Sequence, residues 1–370
     1  MKIEPNRDQW SSVLYEIARR PLGRCPDFPA IARRWEQWWN FEADRPLLSV
    51  AASKGPGAPA GKGLSLLEQP EAWLSMRKAQ LDNRYHVAET VPEIRVDLGP
   101  LAVATFLGTP TTYSDAENTS WQTPTIRNWD GQAIGTIDRE NRWWQAMMKL
   151  VEITAADAAG DYLVTLPDLG GSIDTLANMR GPENLLMDLY DHPREVLDAA
   201  DRITDAWEEA FAEIYSRITA AGAGATSWLR IWSDQPYTVM TCDFNFSIGP
   251  EQFRQFCLPS LADQARRAGR AVIHVDGPGA IKHIESLAAE PAISAIQYTP
   301  GAATPNPLDK IDWFRLAQQA RKPLIINCPS EHVGALVDKL DPRGLAIVSW
   351  AAGPGGADEL AAICRGEPGA

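Results

Sequence analysis

The sequence predicts an α/β fold, a (β/α)8 TIM barrel, from three observations: eight short β-rich runs, amphipathic segments between them, and polar residues gathered at the ends of the runs. The runs are RPLLSV (45–50), EIRVDL (93–98), DYLVTLPD (161–168), SWLRIWS (227–233), AVIHVD (271–276), ISAIQYT (293–299), KPLIINC (322–328) and LAIVSW (345–350). Each is short and apolar enough for a parallel strand covered on both sides; an open sheet is the alternative. PEQFRQFCLPSLADQARRAG, PGAIKHIESLAAE, DKIDWFRLAQQAR and SEHVGALVDKL space their apolar residues as connecting helices do. The first half carries longer insertions: a tryptophan-rich helix in RRWEQWWNFEADRP, a Gly/Ala/Pro loop in ASKGPGAPAGKGLS and an irregular stretch at 109–139. All three are expected over the barrel mouth. No linker divides the chain, so 1–370 reads as one domain, with a helical extension at 1–44 and the barrel at 45–370.

Composition narrows the function class. With 370 residues, 45% hydrophobic and 22% charged, the chain can bury a large core. A formal net charge of −13 argues against nonspecific binding to nucleic acid or anionic membrane. MKIEPNRDQW lacks the apolar core of a signal peptide, and no run approaches a membrane span, so a cytoplasmic protein is expected. Five scattered cysteines (25, 242, 257, 328 and 364) form no CxxC pair, which fits reduced thiols.

Catalytic groups of such barrels gather where strands end at the C-terminal side. Asp97, Asp168, Trp232, Asp234, His274, Asp276, Gln297, Tyr298, Cys328 and Trp350 all lie at or just beyond expected strand ends. For Asp168 and Asp234, a helix cap or a turn is the structural alternative. His274 and Asp276 are two residues apart and share a strand face, where they can hold a divalent metal or move a proton. The structural alternative is a buried His–Asp hydrogen bond. If SWLRIWS is a strand, Trp228, Arg230 and Trp232 share a face, and Arg230 needs an anion there: a substrate carboxylate or an acid such as Asp243.

Asp243, in TCDFNFSIGPEQF, is a candidate acid/base or substrate ligand, and Cys242 beside it is a thiolate ligand or an apolar filler. Cys328 precedes Pro329 at a strand end and is the candidate third metal ligand beside His274 and Asp276. GPGA after Asp276 is an anion-receiving turn or simply a helix start, and Lys282 and His283 are expected to face solvent or the outer shell. Among fourteen tryptophans, Trp35, Trp38 and Trp39 recur at helical spacing and read as packing, whereas Trp121 and Trp129 are candidates to line a cavity.

IHVDGPGAIKHI, AIQYTPG and DFNFSIGPEQFRQFCLPSL together resemble the uroporphyrinogen decarboxylase superfamily, mainly over 160–350, and WEQWWNFEADRPLLSV is similar to the opening of its poorly characterised members. The resemblance implies a (β/α)8 barrel, a homodimer, and either a cofactor-free decarboxylase or a methyltransferase linked to zinc and to a corrinoid on a partner protein. The arginine-rich opening with which the porphyrinogen decarboxylases grip propionates does not occur here, which disfavours that reaction. Relative to the His-x-Cys-Gly zinc motif of the methyltransferases, His274 matches the histidine and Asp276 stands in place of the cysteine; Cys328 would be the later thiol ligand. A carboxylate makes the metal a harder Lewis acid than a thiolate does.

The leading expectation is a methyltransferase-like enzyme acting on a small organic substrate. Asp243, His274 and Asp276 are the catalytic candidates, and Trp228, Arg230, Trp232, Gln297, Tyr298 and Asp168 the substrate-binding ones. A metal-independent decarboxylase or lyase, with proton transfer by Asp276 or His274, is the second expectation. A noncatalytic binding barrel is the third.

Overall fold

The computed structural model describes residues 6–100, 102–129, 134–301 and 306–367. Two stretches discussed above fall partly outside them, at 1–5 of the N-terminus and 130–133 of the irregular insertion. The strands, in chain order, are β1 (Leu47–Ser53), β2 (Arg84–Tyr85), β3 (Glu93–Arg95), β4 (Thr111–Ser114), β5 (Thr119–Gln122), β6 (Leu163–Thr165), β7 (Ala225–Thr226), β8 (Tyr237–Met240), β9 (Arg270–Asp276), β10 (Ala295–Thr299), β11 (Leu324–Asn327) and β12 (Leu345–Trp350).

A seven-stranded sheet runs in the order β2-β1-β12-β11-β10-β9-β8, parallel except for β2, which lies antiparallel on β1. A three-stranded parallel sheet, β3-β6-β7, accompanies it. Among the described residues no strand pairing joins β1 to β3 or β7 to β8, so the parallel strands form two arcs. Both seams are nevertheless bridged. Glu89 donates its N–H to the Leu48 carbonyl and takes the Leu48 N–H on its carboxylate, at 3.0 and 2.9 Å, and the Thr226 and Tyr237 hydroxyls meet at 3.1 Å.

SWLRIWS is not a strand. Only Ala225 and Thr226 before it pair with β6, the segment itself turns, and the strand that sequence reading missed is β8 at YTVM. The cause is local: Arg230 has φ +58°, and its N–H returns to the Ser227 carbonyl at 2.9 Å, closing a turn where apolar alternation suggested extension. The 109–139 stretch is likewise not wholly irregular, because β4 and β5 pair as an antiparallel hairpin.

Parallel strands covered on both faces leave runs such as Val272-Ile273, Ala295-Ile296 and Leu324-Ile325-Ile326 with no exposed surface. Each such aliphatic side chain contributes roughly 1.5–3 kcal/mol by leaving water. The tryptophan-rich helix, Phe28–Trp39, closes the N-terminal end of the sheet rather than the mouth. Trp38 donates its indole N–H to the carbonyl of Leu324, where β11 begins, and Trp39 donates to Trp232 ahead of β8, at 3.3 and 2.7 Å. Glu36 on the same helix pairs with Arg270, the first residue of β9, at 2.8 Å. A buried indole needs an acceptor, and the carbonyls at strand starts supply it. The opposite end is thereby left for a site. Among the described residues, no helix is long and apolar enough to cross a membrane.

Candidate active site

One half of the C-terminal mouth is acidic. His274 and Asp276 project from β9, and Asp243 comes from the loop after β8; one ligand atom from each lies within 4.8 Å of the others. Parallel register sets Gln297 of β10 beside His274, and their side chains bond through Gln297 Oε1 and His274 Nδ1. Gln297 also donates through Nε2 to the Thr299 hydroxyl at 2.8 Å, so its oxygen is the atom left facing the ring. His274 Nδ1 must then carry the proton, which leaves the Nε2 lone pair available to a metal or an acid.

Asp174, in the first turn of the helix Ser172–Arg180, takes the backbone N–H groups of Asp243 and Phe244 at 2.8 and 2.9 Å and so sets the Asp243 loop. This approach depends on Gly171: a Cβ there would sit 2.0 Å from the Thr241 carbonyl oxygen. Burial, then the charges of Asp276 and Asp168, push the Asp243 carboxyl up to about 6; burial, then Asp243, does the same to Asp174.

The other half is basic. Glu93 on β3 is buried and pairs with Arg84 at 2.5 Å and Arg230 at 3.4 Å, while accepting the Thr165 hydroxyl at 2.6 Å. Asp97, also buried, pairs with Arg95 at 3.1 Å and with Lys62 of the Gly/Ala/Pro loop at 3.3 Å, and accepts the Gly99 N–H at 2.7 Å. Half-buried Arg77 lies within electrostatic reach of Glu93, Asp97, Arg84 and Arg95. Burial would raise the Glu93 carboxyl, but Arg84 and Arg230 outweigh it and hold it down at about 2. Burial, reinforced by Arg84, lowers the Arg230 guanidinium to about 10 and the His86 imidazole to about 4. Asp168 stands between the halves. Burial raises its carboxyl, and it feels both Arg95 and His274.

The structure therefore brings together Asp243, His274, Asp276, Gln297, Trp228 and Asp168, with Trp228 edge-on to His274 at 5.2 Å. Arg230 reaches the mouth as well, paired with Glu93 rather than Asp243. Four expected positions differ. Trp232 is fully buried edge-on against Phe28 at 5.0 Å. Tyr298 takes the opposite strand face from Gln297 and packs on Phe314 of the covering helix Ile311–Gln319. Cys328 has no exposed surface, is not one of the three grouped ligands, and burial pushes its thiol up to about 12, far from a thiolate. Asp234 pairs with Arg270 at the N-terminal end.

The other residues singled out by sequence sort as follows. Cys242 is buried against Cys257, and that contact, then burial, raises its thiol. His283 is buried, stacked on Phe253, with Nε2 against the Asn245 carbonyl at 2.9 Å, while Lys282 donates to the Phe246 carbonyl. Trp121 is exposed on the hairpin, and Trp129 packs against Arg180 and His192. All five cysteines are free. Sequence reading missed Glu93, Arg84, Arg95, Arg77, Lys62 and Asp174. One signal was present: in EIRVDL the charges at 93, 95 and 97 alternate with apolar residues, the mark of a charged strand face.

No protein-family model matches the chain, and no curated protein matches it either. Among solved structures, it is similar to a methyltransferase from Methanosarcina mazei, with a TM-score of 0.61 and 11% sequence identity over 91% of this chain and 98% of that one. At that identity the likeness is one of fold.

Proposed function

We propose that this chain is a methyltransferase-like enzyme acting on a small organic substrate at the C-terminal ends of its strands, with a divalent metal ion held by Asp243, His274 and Asp276. The observation that carries the reading is the convergence of three ligand atoms within 4.8 Å, on a fold shared with a methyltransferase. The donor set fits a cation. One imidazole with its Nε2 lone pair available and two mutually repelling carboxylates form a hard nitrogen–oxygen site suited to zinc, and the charge of Asp276 already opposes that of Asp243.

A bound metal would act as a Lewis acid on the substrate atom that receives the methyl group. Gln297 orients His274, Asp174 fixes the Asp243 loop, and the Trp228 ring walls the site beside the imidazole. The proton that substrate X–H releases on becoming X–CH3 would pass to a carboxylate at the strand ends. On the superfamily resemblance, the methyl group would come from a corrinoid on a partner protein, and the enzyme would be a homodimer. The resemblance also makes the eight parallel strand positions one barrel, with β7 and β8 sharing the fourth.

A metal-independent decarboxylase or lyase is the second reading, favoured by the raised carboxyl of Asp243, which holds a proton close to neutral pH. Metal analysis by inductively coupled plasma mass spectrometry, on protein purified without a metal-affinity tag, separates the two. Near-stoichiometric metal that disappears in His274→Ala supports the first. A folded wild type that is metal-free and takes up no divalent ion eliminates it.

A further inference from the structure

We propose that the basic half of the mouth, formed by Lys62, Arg77, Arg84, Arg95 and Arg230, is a receptor for a multiply charged oxyanionic group on the substrate, a polycarboxylate or a phosphate. The inference rests on the mouth being the ligand site, and it holds for either methyl transfer or decarboxylation.

The charge balance is the first argument. Five cationic side chains meet two directly paired carboxylates, Glu93 and Asp97, in a chain whose net charge is −13. Arginines gathered for structure alone would be matched by acids, which this chain has in excess; here like charges crowd together instead. Burial, then Arg84, work against the charge on Arg230 and outweigh the support of Glu93, whereas Arg77 is lowered by burial with Glu93 and Asp97 opposing it. A multiply charged anion would relieve that repulsion.

Unused donors are the second argument. The buried Nε1 of Trp228 has no hydrogen-bond partner among the described residues, and Arg230 reaches Glu93 only as an ion pair at 3.4 Å. Buried donors are nearly always satisfied, so the indole N–H and the Arg230 guanidinium have room for an acceptor. Guanidinium forks suit carboxylate and phosphate oxygens, which can take two parallel N–H bonds from one arginine.

Access and strain complete the case. The side chains of Arg84, Lys62, Arg95 and Arg230 keep 18, 23, 25 and 26% of their surface open, enough for a ligand to touch them. Arg84 also lines a cleft of about 300 Å³ at the C-terminal ends of β1 and β12, with Ser53, Gln80 and Asn83. Arg230 is held at φ +58°, a conformation costly for a long side chain, by the turn that its N–H closes on the Ser227 carbonyl.

The test is calorimetric titration of the metal-free full-length protein, prepared with a chelator that is then removed by gel filtration, so that anion binding is read independently of any metal. The probes are inorganic phosphate and citrate, with potassium chloride at matched ionic strength as the control. Saturable binding of either anion is expected, weakened about tenfold or more by Arg230→Gln and by Arg95→Gln. The stronger probe identifies the head group. Glu93→Gln removes the internal competitor while keeping an oxygen for Thr165, and should tighten anion binding, a gain that misfolding does not mimic. Absence of saturable binding, equal affinity in the arginine variants, or no gain in Glu93→Gln overturns the proposal. Loss of metal with anion binding intact leaves it standing while testing the metal reading separately.

Discussion

The two halves of the mouth solve opposite electrostatic problems with the same tool, a buried carboxylate. In the acidic half, Asp243 and Asp174 face other acids, and burial adds to the repulsion, so both hold protons more tightly than an exposed aspartate would. In the basic half, Glu93 is as deeply buried as Asp174, but two arginines overcome the cost of burial and keep it ionised. Burial therefore does not decide a carboxylate's charge; the sign of its neighbours does. The acidic half gathers negative charge and the basic half positive charge, the arrangement that the proposed metal and the proposed anionic substrate group require.

The contrast can be broken most severely at His274. His274→Ala should abolish metal uptake and lower activity by about 100-fold or more, while the Glu93 network survives, as read by metal analysis beside thermal unfolding. Next is Glu93→Ala, which strips the acid from between Arg84 and Arg230 and should cost about 3–5 kcal/mol of stability in urea unfolding, with metal content unchanged where the protein remains folded. Gln297→Leu removes the partner that fixes the imidazole and should weaken metal affinity by about 10–100-fold, with little loss of stability.

The pH dependence of unfolding should carry opposite signs for the two halves in metal-free protein. Asp243 and Asp174 bind protons more tightly folded than unfolded, so their contribution falls as pH rises from the ordinary carboxylate range to about 6; Asp174→Asn should flatten that slope. Glu93 binds its proton less tightly when folded, so its contribution is present above the ordinary glutamate range and is lost as pH falls toward about 2. A single slope of one sign across both windows would contradict the division. The smallest effect is expected from Cys328→Ser, which should leave metal stoichiometry unchanged because that thiol lies in the core.

The acidic half was largely legible in the sequence and the basic half was not. His274 and Asp276 declare themselves because two-residue spacing at a strand end is a local pattern, and Gln297 follows at the next strand end. The basic half draws on β2, β3, a helix, the Gly/Ala/Pro loop and the turn at 230, segments with no common period. Arg230 shows the limit plainly. Its neighbours alternate as in a strand, and the alternation placed Trp232 beside it at the site, whereas the turn sends Trp232 into the core against Phe28.

By itself, then, the sequence determined the α/β class, most of the parallel strands, and the strand end carrying His274 and Asp276, because apolar runs and two-residue periodicity are properties of neighbouring residues. Only the tertiary structure decided that Asp243 rather than Cys328 joins His274 and Asp276, that the tryptophan helix closes the far end, and that three arginines and a lysine share two buried acids. Those outcomes depend on which distant segments meet, and charges become a site only when the fold brings them within a few ångströms and removes the water between them.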